Sequence, residues 1–268
     1  MNNMFRSIAI YNKPLNNWNV GNNTQFSGMF LGCTNFNQDI SGWNTAKGTT
    51  FTSMFASASS FNQNINGWNM SAATSLLAMF QNAIAFNQDL NSWNVSNVTR
   101  IDTIFSGATA FNGNISSWNL AKVQFLDSMF QNAISFNRDI SGWVFPLANS
   151  CASTFAGAVA FNQNIGGWNM SNIISVNGMF NGATAFDQNL GAWNISLCTN
   201  FLNFMAGKTP ATFSAANLDA IYNGWSTRSA VASRTITFGT AKYTAGGSAG
   251  RAVMTSPPKS WSITDGGI

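Results

Sequence analysis

The sequence predicts a repeat solenoid, a stack of 25-residue coils closed at one end by a small α+β cap. Three observations predict it. Trp18, Trp43, Trp68, Trp93, Trp118, Trp143, Trp168 and Trp193 recur every 25 residues without a slip. The residues around each Trp repeat one set of apolar stations. The register then fails after Phe204-Met205, and Trp225 stands 32 residues beyond Trp193. The expected division is a solenoid of about eight repeats over residues 1–205 and a C-terminal capping segment over 206–268.

One coil can be read at Leu76, Met79, Phe80, Ala83, Phe86, Leu90, Trp93, Val95 and Val98. The spacings of three and four from Leu76 to Ala83 predict a short helix or 3₁₀ turns. The alternation Trp93-x-Val95 predicts a short parallel strand whose Trp and Val face inward. Neither element buries its apolar face alone, so neighbouring coils must stack and share one core. At a strand spacing of about 4.8 Å the stack would be a rod on the order of 35–40 Å long. The Trp and Phe columns read as core packing rather than as rings for stacking a carbohydrate.

Three polar columns accompany the core. Asn19, Asn44, Asn69, Asn94, Asn119, Asn169 and Asn194 follow the Trp, with Val144 as the exception. Stacked amides at strand spacing can bond along the stack, so this column is expected to be an Asn ladder. A second column, Asn12, Asn37, Asn62, Asn87, Asn112, Asn137, Asn162 and Asp187, opens each Phe-Asn turn and is expected to close that turn locally. A third reads Asp39, Asn64, Asp89, Asn114, Asp139, Asn164 and Asn189. Interleaved Asn there avoids the repulsion of stacked carboxylates, roughly 1 kcal/mol in water. A calcium ladder would favour more carboxylates, and no metal is expected.

Composition bounds function. Only 7% of residues are charged, far below the roughly 25% of ordinary soluble domains, so Asn, Gln, Ser and Thr must supply solubility. That suits an extracellular or virion-surface protein better than a cytosolic enzyme. Histidine and glutamate are absent and the eight Asp are dispersed, so no acid/base or nucleophile set converges and no enzyme is expected. Cys33, Cys151 and Cys198 fall at unrelated phases of the repeat and read as core fillers, not as a disulfide framework or zinc site. The net charge of +4 comes wholly from residues 206–268. The six bases there are spaced without a cluster and read as a solvated face, so nucleic acid is not an expected partner. No apolar run approaches the ~18 residues of a membrane span. The N-terminus lacks a signal-peptide plan, which suggests export by another route, such as on a virus particle, or a piece of a longer secreted protein.

The string Val98-Thr-x-Ile101-x-x-Ile104-Phe105-x-Gly107-Ala108-x-x-Phe111-Asn and the phrase Phe36–Asn44 resemble the 25-residue-repeat surface proteins of mycoplasmas, marine bacteria and phages. That family is related to the BspA-like leucine-rich repeats. The resemblance spans about residues 4–205 and implies a right-handed leucine-rich-repeat-like solenoid with an adhesive or recognition role and no catalysis. The signal peptide and lipobox of the mycoplasmal members are missing. Tyr243–Arg251 and Trp261–Gly267 resemble the closing segment of phage and marine members.

In the capping segment, Ser214 is expected to N-cap a helix carrying Leu218, Ile221, Tyr222 and Trp225 on one face, with Gly224 as its stop. Strands are expected at about Thr235–Phe238 and Trp261–Thr264, with Gly-rich turns between them. No comparable cap precedes Met4-Phe5, so the first coil is expected to be covered by another chain or an upstream segment.

The function expected is a non-catalytic binding or adhesion module displayed on a virion or bacterial surface, recognising a host glycan or protein without a cofactor. The alternative is a structural spacer or assembly unit with no ligand of its own. The candidate ligand-binding residues are Asn44, Asn69, Asn94, Asn119 and Asn169, together with Val144 and Phe145, where the column breaks and apolar groups are expected at the surface.

Overall fold

The computed structural model describes residues 1–229 and 231–268. The 25-residue period governs the backbone from the first residues to about Gly207, but not through the predicted elements. The run Leu76–Ala83 is neither helix nor 3₁₀; it is a succession of β-turns. Met79, Gln81 and Ala83 donate their N–H groups three residues back, to Leu76, Ala78 and Phe80, at 3.0–3.1 Å. The residues between them bond across the stack: Leu76, Ala78, Phe80 and Asn82 donate to Arg100, Asp102, Ile104 and Ser106 of the next repeat at 2.7–3.1 Å. A helix would return every N–H to its own segment.

The cause is the sign of φ. Ala78 and Asn82 have φ of 54° and 56°, and the equivalent residues of the other repeats share this left-handed conformation. They are small or short polar residues: Gly28 and Gly32, Ser53 and Ser57, Ser128 and Asn132, Gly178 and Gly182. Gly, Asn and Ser enter this region at least cost, whereas a β-branched residue such as Thr103 (φ 56°) sits there under strain. Two left-handed residues per repeat turn alternate amides outward to the neighbouring repeat.

The expected strand at Trp93-x-Val95 is also displaced. Parallel bridging runs instead along Gln25, Thr50, Ser75, Arg100, Phe125, Ser150, Ser175 and Asn200, one residue per repeat, just before the inward Phe26, Phe51 and Leu76. Trp93 N–H closes a turn on Leu90 at 3.1 Å, so the Trp backbone is not free to pair. The indole makes the inter-repeat bond instead. Trp93 Nε1 donates to Ile65 O at 3.0 Å, and the same bond reaches back from Trp43 to Leu15, Trp68 to Ile40, Trp118 to Leu90 and Trp193 to Ile165.

The apolar stations are buried where the sequence places them. Met79, Phe80, Ala83, Phe86, Leu90, Trp93, Val95 and Val98 all lie in one continuous core. Phe80 stacks on Phe55 and Phe105 at 5.7 Å in the adjacent repeats and on Phe86 at 4.0 Å in its own. Trp43 stacks on Trp68 at 6.2 Å and Trp93 on Trp118 at 6.3 Å. Each ring thus contacts its own repeat and a neighbour, so the aromatic columns couple repeats that could not fold singly.

After the repeats come α1 (Ala215–Ser226), β1 (Thr235–Thr237), α2 (Ala245–Thr255) and β2 (Ser262–Thr264). β1 and β2 pair in parallel, Ile236 opposite Ile263, and Phe201 of the last repeat bridges to Ile236 on the other side. α1 buries Leu218, Ile221, Tyr222 and Trp225 as expected. It does not stop at Gly224. A Cβ there would lie 2.0 Å from Gly191 O, so this glycine serves close approach of α1 to the last repeat rather than termination. Nor does Ser214 cap α1 with its side chain, because its Oγ donates to Asp187 instead.

α2 falls where Gly-rich turns were expected. Its three glycines disfavour a helix by propensity, yet packing requires them: a Cβ on Gly250 would meet the Tyr222 carbonyl carbon at 2.6 Å. Thr244 caps the helix by accepting from Gly246 N–H at 3.0 Å.

This segment imitates a further repeat. Trp225 Nε1 donates to Leu190 O at 2.9 Å, the bond that the next Trp of the series would make. Ser214 N–H donates to Asp187 Oδ1 at 2.9 Å and Asn217 Nδ2 to the same oxygen at 2.8 Å, replacing the Asn N–H and Gln amide that meet this column elsewhere. Lys208 is buried with its ammonium among the carbonyls of Ala183, Thr184, Phe186 and Thr212.

Candidate functional site

The Trp-following column does not form a ladder. Asn44, Asn69, Asn94, Asn119 and Asn169 accept through Oδ1 from the N–H two residues on, at Ala46, Ser71, Ser96, Ala121 and Ser171, at 3.0–3.1 Å. These are local Asx turns. The second column forms the ladder instead. Asn37 N–H donates to Asn12 Oδ1, Asn62 to Asn37, Asn87 to Asn62, Asn112 to Asn87 and Asn137 to Asn112, at 2.7–3.0 Å. The roles expected of the two columns are exchanged. The backbone after the Trp turns back on itself, whereas the backbone at Phe-Asn runs alongside its neighbour.

The Asp/Asn column is mostly local as well. Asp39 and Asp139 each accept from the N–H of the Ser two residues on, at 2.9 Å, and those bonds hold both carboxyls below the usual carboxylate range. Asp89 instead accepts from Asn114 N–H of the next repeat at 2.7 Å.

The five candidate asparagines are exposed on one face, and among the described residues their Nδ2 groups donate to nothing. Val144 is exposed (65%), but Phe145 is not. Its place in the inward column of the repeat holds, and its candidacy as a contact residue does not: it is 5% exposed and packs edge-on against Trp168 at 5.1 Å. Phe145 occupies the inward station that Val95 and Leu120 fill elsewhere, so strand-like alternation places it in the core.

The break at Val144 has a local cause. The donor of the Asx turn stands two residues after the Asn, and in this repeat that residue is Pro146, which has no N–H. An Asn at 144 would have no turn to close. Beside it lies an open recess of about 260 Å³ lined by Ser116, Ser117, Trp118, Asn119, Leu120, Gly142 and Val144. A Cβ at Gly42, Gly67, Gly142 or Gly167 would meet nothing within 4 Å. Packing therefore does not demand small residues beside the Trp. Ser117 and Gly142 belong to the row of small residues beside the Trp (Gly42, Gly67, Ser92, Ser117, Gly142, Gly167) that the sequence offers as part of a hydrogen-bonding face, whereas Ser116 joins the recess only in the fold.

The cap brings together residues that looked scattered. Arg228, Arg234 and Lys259, expected as isolated solvated charges, are half-buried at one corner against the last repeat. The three thiols are buried and unpaired, and burial pushes that of Cys198 up to about 12. Among the described residues, no helix is long and apolar enough to cross a membrane.

No curated protein matches the chain significantly. The repeat pattern does have a family: residues 1–83, 64–158 and 148–245 each match the group described as Mycoplasma protein of unknown function, DUF285, and the chain belongs to that family.

Proposed function

We propose that the chain is a non-catalytic binding module displayed on a virion or bacterial surface, wound as a solenoid related to the leucine-rich-repeat proteins and recognising a host glycan or protein through its lateral face. The observation that carries this reading is the recess at Val144. There the exposed Val144 side chain and the open Gly142 position adjoin Ser116 and Ser117, whose hydroxyls donate to Asn91 and keep their oxygens as acceptors. The row of unclaimed Asn amides flanks it and offers hydrogen-bond donors of the kind a glycan hydroxyl or peptide carbonyl accepts. A glycan array and host-cell binding with the isolated chain test the reading. Saturable binding weakened by Val144→Asn and Ser117→Trp supports it. Binding unchanged by both substitutions removes the recess from the proposal, and no binding to any glycan or cell removes the function.

A second reading, a spacer or assembly unit, is favoured by the edge of the first repeat. Asn3, Phe5 and Ser7 donate to the carbonyls of Ser27, Met29 and Leu31, but the corresponding carbonyls of Asn2, Met4 and Arg6 receive no such donors among the described residues. Ile8, Ile10 and Trp18 are exposed beside them. Another chain or an upstream segment covers this edge in that reading. Sedimentation of the isolated chain as a monomer at every concentration would count against the other-chain form.

A further inference from the structure

We propose that the corner built by Arg228, Arg234 and Lys259 against the last repeat binds a tetrahedral oxyanion, a phosphate or sulfate group. The site is independent of the lateral face. Its parts converge from three segments. Arg228 reaches the last repeat, donating from Nη2 to Ala192 O at 3.1 Å, and Lys259 Nζ donates to Arg228 O. Ser233 N–H donates to Lys259 O at 2.7 Å, Ser262 N–H to Arg234 O at 2.7 Å, and Trp261 Nε1 to Val231 O at 3.0 Å. The backbones bearing the three cations are thereby tied together.

What they lack is a counter-charge. The Asp side chains of the cap and last repeat are engaged with other partners: Asp187 with Ser214 and Asn217, Asp219 with Thr244, and Asp265 with Arg251 and Tyr222. The ion pairs among the described residues are Arg100–Asp102 and Arg251–Asp265, neither at this corner. The Nε atoms of both Arg228 and Arg234 are buried without a hydrogen-bond partner, and no described residue accepts from the guanidinium of Arg234.

Burying the Nε–H groups of Arg228 and Arg234 without an acceptor is costly, and like charges gathered at one corner without a carboxylate add to that cost. A fork of guanidinium nitrogens matches the oxygens of phosphate or sulfate, and an ammonium adds a third donor. Lys259 also lines an open recess with Ala252, Val253, Ser256, Pro257 and Pro258, so solvent reaches the corner on the Lys259 side.

Titration calorimetry and thermal melting of the full chain with sodium phosphate, sodium sulfate and sodium chloride at equal ionic strength test the proposal. Saturable binding of phosphate or sulfate, with melting raised beyond the chloride control, is expected. Arg234→Gln should weaken it at least about tenfold, while Lys13→Gln, which removes a distant exposed charge, should leave it unchanged. If Arg234→Gln fails to fold, Lys259→Gln, which leaves both arginines, should show the same loss. The proposal is overturned if chloride matches both oxyanions, or if a folded Arg234→Gln or Lys259→Gln chain binds as tightly as the parent. Preference between phosphate and sulfate distinguishes a phosphorylated from a sulfated natural ligand.

Discussion

Asn62→Ala removes one rung of the inter-repeat ladder, whereas Asn44→Ala removes one local turn bond. Asn62 Oδ1 accepts from Asn87 N–H and from Gln88 Nε2, both at 2.9 Å, so two donors in the next repeat lose an acceptor together. Gln88 keeps its second bond, to Asn62 O at 3.0 Å. With each hydrogen bond worth about 0.5–1.5 kcal/mol, and with water able to replace the acceptor at exposed Asn87 but less fully at half-buried Gln88, the loss should be roughly 1–2 kcal/mol. Asn44 Oδ1 meets only Ala46 N–H, at an exposed position where water replaces it, so its loss should be about 0.5 kcal/mol. Asn62→Asp keeps an acceptor oxygen, as Asp187 does at the last rung, and should fall within about 1 kcal/mol of the parent. Urea unfolding measures the three differences, and amide exchange locates them. Exchange at Asn87 should quicken in Asn62→Ala and remain slow in Asn44→Ala. Equal destabilisation by the two alanine variants, or unchanged protection at Asn87, would refute the assignment of the ladder to this column.

Three further outcomes follow from the cap and core. Burial pushes the Lys208 amine down to about 8, against the opposing pull of Asp187, and so below its ordinary 10.5. The unfolded chain then binds the extra proton between those values, so this group adds stability as pH rises from about 8 toward 10.5 and withdraws it as pH falls. Subtracting the stability–pH profile of Lys208→Met from that of the parent should leave this rising slope; a flat difference would show that the amine is not held as described. Gly250→Ala drives a Cβ into the Tyr222 backbone and should cost about 1–3 kcal/mol or more by parting α1 from α2, measured by thermal unfolding. Cys33, Cys151 and Cys198 are buried and burial raises all three thiols, so a thiol reagent at pH 8 should label them only after denaturant is added.

Much of the architecture was legible because a period is a statement about neighbours. Residues 25 apart meet their counterparts whatever the backbone does between them, so the buried Met79, Phe80, Phe86, Leu90 and Trp93 could be named from spacing. The amphipathic α1 could be read likewise, since Leu218, Ile221, Tyr222 and Trp225 fall on one helical face. Period alone says nothing about hydrogen-bond direction. The same three- and four-residue spacings serve a helix or a chain of β-turns, and the choice rests on the left-handed pair at Ala78 and Asn82. The small residues recurring at that phase were the available signal.

The asparagines illustrate the division most sharply. Composition and period determined that Asn would line this protein in columns, since a chain so poor in charge needs amides for solubility and for turns. Tertiary structure decided which column joins repeats and which merely closes a turn, because an amide bonds to whichever backbone runs beside it. The same holds for α2, whose glycines oppose a helix until Tyr222 demands their close approach. It holds equally for Arg228, Arg234 and Lys259, which are scattered along the chain and become one basic corner only when the cap folds against the last repeat.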